Sequence, residues 1–194
     1  MRRGPPRYDI PKAAPGRLRV VQQFVNTVDR EHDRDWLATP TLLRDWLVAQ
    51  GLLSADARVR RPDLERAFEL RAALRSLLGA ENEVGDPADA FDRAASAARL
   101  TFRLGDGSAI LVPTAGGVAG ALGHLLITVH DAMADGCWHR LKTCRNCRWA
   151  FYDYSRNHSA AWCSMRLCGN RTKTRAYYRR RRAAGLPSAS ASRR

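Results

Sequence analysis

Apolar positions along this chain fall into helical spacing, switch to alternation, and return to helical spacing. Within Leu18 to Val28, the residues Val21, Phe24, Val25 and Val28 follow i, i+3, i+4, i+7 and predict a helix, with the β-branched content leaving a strand open at its start. Thr39-Pro40 then offers an N-cap and first-turn pair, Leu42, Leu43, Trp46 and Leu47 form an apolar face, and Gly51 stands where a C-terminal cap belongs. The stretch Pro62 to Leu78, ending at Gly79, repeats this with Leu64, Phe68, Leu74, Leu77 and Leu78, and Pro87 to Arg99 predicts a shorter alanine-rich helix around Phe91. The period then changes. Leu100 to Leu104 and Ala109 to Val112 flank Gly105-Asp106-Gly107 and predict a β-hairpin, after which Val118 to Asp135 predicts a last apolar helix stopping near Gly136. The expected body is α+β and mostly helical.

Downstream of residue 137 the pattern loses its apolar content and the charge changes the picture. Residues 138 to 194 hold fifteen Lys and Arg against one acid, Asp153, and so carry the chain's whole net charge of +14 while residues 1 to 137 balance. Four segments follow: residues 1–17, proline-rich and disordered or loosely docked; 18–137, the body; 138–184, a small basic module; and 185–194, a flexible Ser/Ala/Arg tail. The module is too short to hold a fold by apolar burial alone and needs a staple. Met1 to Arg17 has no apolar run of secretory type, and no run is expected to approach the roughly 18 to 20 residues of a membrane span, so the expected compartment is the cytosol. A large positive charge without an amphipathic apolar face favours nucleic acid over membrane as the partner.

The staple is legible in Cys144, Cys147, Cys163 and Cys168, a C-x2-C and a C-x4-C pair separated by fifteen residues. Two disulfides are the alternative, but in a reducing compartment paired cysteines of this spacing bind zinc. Four thiolates satisfy a tetrahedral structural Zn²⁺ and leave no open position for catalysis. They also leave the site at about −2, which Arg145, Arg148, Arg166 and Arg171, interleaved with the ligands, are placed to screen. Cys163 and Cys168 are expected at the start of a helix running through Arg182, and Cys137 is read as a small buried apolar residue.

Cys144-Arg-Asn-Cys147, Trp149-Ala-Phe-Tyr-Asp153, Ser155-Arg156-Asn157, Trp162-Cys163-Ser-Met165 and Cys168-Gly169-Asn170-Arg171, followed by Lys173 and Arg175, resemble the CGNR zinc finger over about residues 140 to 183. Upstream, Phe24-Val-Asn-Thr-Val-Asp29, Leu42-Leu43 with Trp46-Leu47, and Leu70-Arg71 with Leu74-Arg75 are similar to the ABATE domain, a family associated with stress-induced transcription regulation. The resemblance implies zinc at the four cysteines and DNA binding through the basic residues. Ala160 and Ala161 stand where the family often carries arginines, so no phosphate contact is expected there.

Asn170 to Arg182 has seven bases, no acid and no helix breaker. In a helix, Arg171, Arg175, Arg179 and Arg182 share a face, while Lys173 and Arg180 point elsewhere; all six, with Arg156, are the candidate phosphate contacts, and about five such contacts give a log K against log salt slope of roughly −4 to −5. Arg156, Asn157 and Asn170 are the candidate base readers, although Asn170 beside Gly169 is more simply read as bonding backbone or a thiolate. Trp149, Phe151, Tyr152 and Trp162 could stack on unpaired bases in an RNA-binding module, or form the module's own small core. Asp29, Glu31, His32, Asp33 and Asp35 are read as a solvated loop. Gly116, Gly117, Gly120 and Gly123 match no phosphate-loop pattern and are read as sites of close helix packing, and His124, His130 and His139 form no triad. The expectation is a non-enzymatic, zinc-stabilised regulator that binds duplex DNA, with a small treble-clef-like finger ending in a basic helix. Its body would homodimerise or sense a small-molecule effector. An RNA-binding module, an enzyme and a protein-interaction adaptor with a purely structural finger are the alternatives.

Overall fold

A computed structural model describes residues 12–79, 86–105 and 107–183. The body opens with α1 (Leu18–Val25), β1 (Val28–Asp29), β2 (Arg34–Asp35), α2 (Pro40–Ala49), α3 (Arg61–Leu77) and α4 (Pro87–Ala98). It closes with the hairpin β3 (Leu100–Gly105) and β4 (Ser108–Pro113) and the helix α5 (Gly117–Ala134). A single 3-10 turn, Trp138–Arg140, leads into β5 (Leu141–Thr143) and β6 (Ala150–Tyr152), and a π-turn, Met165–Gly169, into α6 (Asn170–Ala183). Each sheet is a two-stranded antiparallel pair.

Local signals set the helix ends. Thr39 Oγ1 accepts from the Leu42 N–H at 3.2 Å, Asp86 Oδ1 from the Ala88 N–H at 2.9 Å, and Gly51 at φ +68° follows α2 in a left-handed conformation that suits glycine. α1 stops earlier than its apolar stripe, because Asn26 and Thr27 leave the helix and the chain turns into the β1–β2 pair, in which Val28 faces Asp35. Two-residue strands carry no alternation, so this pair left no trace in the apolar pattern.

α5 is the centre of the body. It packs against α1, α3, α4 and β4, burying Val118, Ala121, Leu122, Leu125, Leu126, Val129 and Ala132. Phe24, Leu37, Leu43, Leu47, Leu70 and Leu74 are fully buried around it, each leucine or phenylalanine contributing about 1.5–3 kcal/mol by its burial. Contrary to the expectation from apolar runs, α5 is by length and composition able to cross a bilayer, but half of that window is buried inside the fold. Gly123 fits the close-packing reading: a β-carbon there would lie 2.7 Å from Ala98 Cβ and 2.9 Å from Pro113 Cβ.

Of the N-terminal segment, residues 12–17 are docked rather than loose. Lys12 donates to the Trp162 carbonyl at 2.7 Å, its own carbonyl accepts from Tyr152 N–H at 2.9 Å, and Ala14 N–H donates to Gln22 Oε1 at 2.6 Å. Residues 1–11, the Asp106 of the β3–β4 turn and the tail after residue 183 lie outside the described residues.

A polar seam joins body and module. Asn26 closes a two-bond ring with the Ala150 backbone, its Nδ2 donating to the carbonyl at 2.9 Å and its Oδ1 accepting from the N–H at 2.8 Å, and Gln22 Nε2 adds a donor at 3.1 Å. The side chain thus imitates a neighbouring strand. Thr143 Oγ1 reaches the Leu78 carbonyl at 2.9 Å, and Leu141, Ala150 and Tyr152 join the apolar core of the body.

Candidate metal centre and basic groove

The turn between β5 and β6 presents the first two cysteines. Cys144 N–H donates to the Trp149 carbonyl at 2.8 Å, Arg148 N–H returns to the Cys144 carbonyl at 2.9 Å, and Arg148 takes φ +58° to close the knuckle. The second pair brackets a cap. Ser164 Oγ accepts from the Leu167 N–H at 3.3 Å, and its carbonyl accepts from the N–H groups of Cys168 and Gly169 at 3.0 Å each. Cys163 therefore precedes the π-turn and Cys168 lies within it, at the start of the helical run, as the C-x4-C spacing predicted.

The four sulfurs lie within 4.8 Å of one another, with Cys147 to Cys163 at 3.7 Å and Cys163 to Cys168 at 3.6 Å, and all four residues are buried free cysteines. A tetrahedral zinc with bonds near 2.3 Å requires sulfur separations of about 3.8 Å. Two of the separations already match that geometry and the rest lie within about 1 Å of it, so the donor set fits a zinc ion. Crowded sulfurs titrate together: the neighbouring thiols of Cys147 and Cys163 pull the Cys144 thiol down, and Cys144 in turn pushes Cys147 up to about 12 and pushes Cys163 up. Zinc must displace those protons, so its hold strengthens as pH rises.

Trp149, Phe151 and the half-buried Trp162 surround the cage, and the body sends in Trp36, whose ring meets Trp149 edge-on at 6.5 Å. Of the four candidate stacking aromatics, Trp149, Phe151 and Tyr152 are buried core. Asp153, the acid of the module, is fully buried. Burial acts to raise its pKa, but Lys142 at 2.8 Å, the Ser155 hydroxyl at 2.7 Å and the N–H groups of Ser155 and Ala160 outweigh it and hold the carboxylate well below its ordinary range. These bonds shape the loop that exposes Arg156 and Asn157.

α6 carries the candidate cations. Lys173, Arg175, Arg179, Arg180 and Arg182 are exposed, as is Asn170 at the helix start. Arg175, Arg179 and Arg182 line a groove of about 820 Å³ between α6 and the zinc knuckle, together with Arg145, Asn146, Trp162, Thr172, Thr174 and Tyr178. No acid lines it. Arg171 departs from the expected set, because it ion-pairs with Glu31 of the β1–β2 loop. That loop is not simply solvated: Asp29 is buried beside His32, 2.8 Å away, and Asp35 holds the buried Arg71 through two bonds at 2.8 and 2.5 Å. Cys137 is half-buried against the body core.

Nothing in the residue pattern places Arg145, Asn146 or Tyr178 in the groove. Arg145 sits inside the C-x2-C pair, where its charge suits the thiolates, and only the fold brings it opposite α6. Gln22 and Asn26 were missed as docking groups, although a polar residue on the buried side of an apolar stripe is a usable signal.

Two family profiles match the chain. The CGNR zinc finger covers residues 140–181, and ABATE, described as "Putative stress-induced transcription regulator", covers residues 18–136. No curated protein matches the chain.

Proposed function

The chain belongs to the ABATE family, with a CGNR zinc finger following that domain, and from this premise we propose that it is a cytosolic, zinc-stabilised transcriptional regulator that grips duplex DNA through the groove beside α6. One observation carries the reading: Arg145 from the knuckle and Arg175, Arg179 and Arg182 from the helix converge on one groove without an acid among its lining residues. Like charges gathered this closely repel, and a phosphate backbone relieves them. Zinc acts structurally, fixing the angle between knuckle and helix. Lys173 and Arg180 flank the groove on α6, and Asn170, Asn157 and Arg156 are the groups available for base edges. The body would provide the dimerising or ligand-sensing half.

Burial of Trp149, Phe151 and Tyr152 favours this reading over an RNA module built on stacking, which keeps only Trp162 of its four candidates even half exposed. The test is a salt titration of binding to duplex DNA, single-stranded DNA and RNA. With Arg171 held by Glu31, about four to five contacts remain, and log K for duplex should fall with log salt at a slope of roughly −4. Arg175→Ala and Arg179→Ala should each flatten the slope by about 0.9. Variants that bind like the wild type would remove the groove from the account, and tighter binding to RNA would replace DNA with RNA.

A further inference from the structure

Toward its tip, the β3–β4 hairpin carries an apolar side that no other described residue covers. In its register Leu100 faces Pro113, Phe102 faces Leu111 and Leu104 faces Ala109, so these six residues share one side, while Arg103 and Ile110 share the other. At the base of that side, Leu100 and Leu111 join Leu77, Phe91, Leu126 and Met133 in lining an apolar groove of about 530 Å³ between the hairpin, α4 and α5. Toward the tip the same side runs on through Phe102, 71% exposed, and Leu104, 81% exposed. Groove and hairpin tip form one continuous apolar strip.

We propose that this strip is the contact between two copies of the chain, with each hairpin lying in the other's groove. The proposal deepens the reading of the body as the dimerising or ligand-sensing half, and rests on it. A two-stranded hairpin is marginal alone and needs a surface against its apolar side. A small molecule in the groove would leave Phe102 and Leu104 in water, whereas a second copy related by a twofold axis covers groove and tip at once and gains the same burial on both sides. Charge permits the approach, since residues 1–137, which contain the hairpin and groove, sum to zero net charge, and the +14 lies in the segment that follows. Phe102 and Leu104 continue the apolar groove into a contiguous exposed strip of the kind that marks a protein–protein contact, and a twofold contact would bury it on both copies. Residues 1–11 and 184–194 are poor intramolecular occupants, being rich in arginine, proline, serine and alanine.

Sedimentation equilibrium of the zinc-loaded chain, without nucleic acid and at about 0.5 M salt to screen the basic modules, tests the contact. The wild type should sediment at twice the chain mass, and Phe102→Glu and Leu104→Glu, both at exposed positions, should halve that mass with helical content unchanged. Ile110→Glu, on the reverse side of the hairpin, should leave the dimer intact. A monomeric wild type overturns the proposal, as does a dimer insensitive to Phe102→Glu and Leu104→Glu. A monomer that saturably binds an apolar dye, with or without Leu104→Glu, overturns it in favour of a small-molecule site. Mass is read independently of DNA, so a dimer that binds no DNA would sink the preceding reading and leave this one standing.

Discussion

Body and finger are held together by different means. The body buries Phe24, Leu37, Leu43, Leu47, Leu70, Leu74 and the inner face of α5 in one contiguous core, so its stability is spread over many side chains. The finger's own buried cluster consists of four cysteines with Trp149 and Phe151, and its other buried apolar residues, Leu141, Ala150 and Tyr152, belong to the body's core. Distributed stability tolerates the loss of one contributor. Concentrated stability does not, and here it resides in one ion and in the seam that Gln22 and Asn26 make with Ala150.

The largest expected effect separates the halves outright. Cys163→Ser should reduce bound zinc from one per chain to near zero, and because metal binding in such sites is worth about 10–16 kcal/mol in apparent terms, α6 should become protease-sensitive. Limited proteolysis that still leaves a resistant body would sharpen the contrast, whereas an undisturbed finger would break it. Phe24→Ala should do the reverse, lowering global stability by about 3–5 kcal/mol in denaturant unfolding while zinc content holds at one.

Asp153 tests how much of the finger is organised without metal. Asp153→Asn should cost about 3 kcal/mol, because it removes the carboxylate that Lys142 and two backbone N–H groups converge on. The sign with pH follows from its depressed pKa in the fold: the contribution is present above the ordinary value of 3.8 and is lost as pH falls through the folded value. Thermal melts from pH 6 downward should show this acid loss in the wild type and a flatter curve in the variant.

The seam comes next in size. Asn26→Ala should cost about 2 kcal/mol by stranding the Ala150 N–H and leaving its carbonyl to Gln22 alone, with zinc stoichiometry unchanged. A melt that splits into two transitions would show that this ring couples the halves. Smallest of all, Glu31→Gln should change stability by less than about 1 kcal/mol, since its partner Arg171 is partly exposed. Freeing that arginine should steepen the salt dependence of DNA binding by about 0.9.

What could be read from residues alone divides along the same line. Helices α2 to α5 and the β3–β4 hairpin carry their own periodicity, caps and glycine stops, and the zinc cage carries a ligand spacing that needs no tertiary context. Contacts across the seam carry neither. Asn26 looks like an ordinary polar residue at a helix end until Ala150, far along the chain, arrives beside it. Glu31 and Asp35 looked like solvated acids because their partners, Arg171 and Arg71, are distant in sequence. Arg145 was legible as a charge near sulfur but not as one wall of a groove whose other wall is α6.

The central claim is that zinc holds the basic helix where it can grip a polyanion. Its most direct test is duplex-DNA affinity measured across a salt series for the zinc-loaded chain and for the same chain after chelation. The account predicts a log K against log salt slope near −4 for the loaded chain, a large loss of affinity on chelation, and recovery when zinc is restored. A chelated chain that binds DNA as tightly and with the same slope would contradict it.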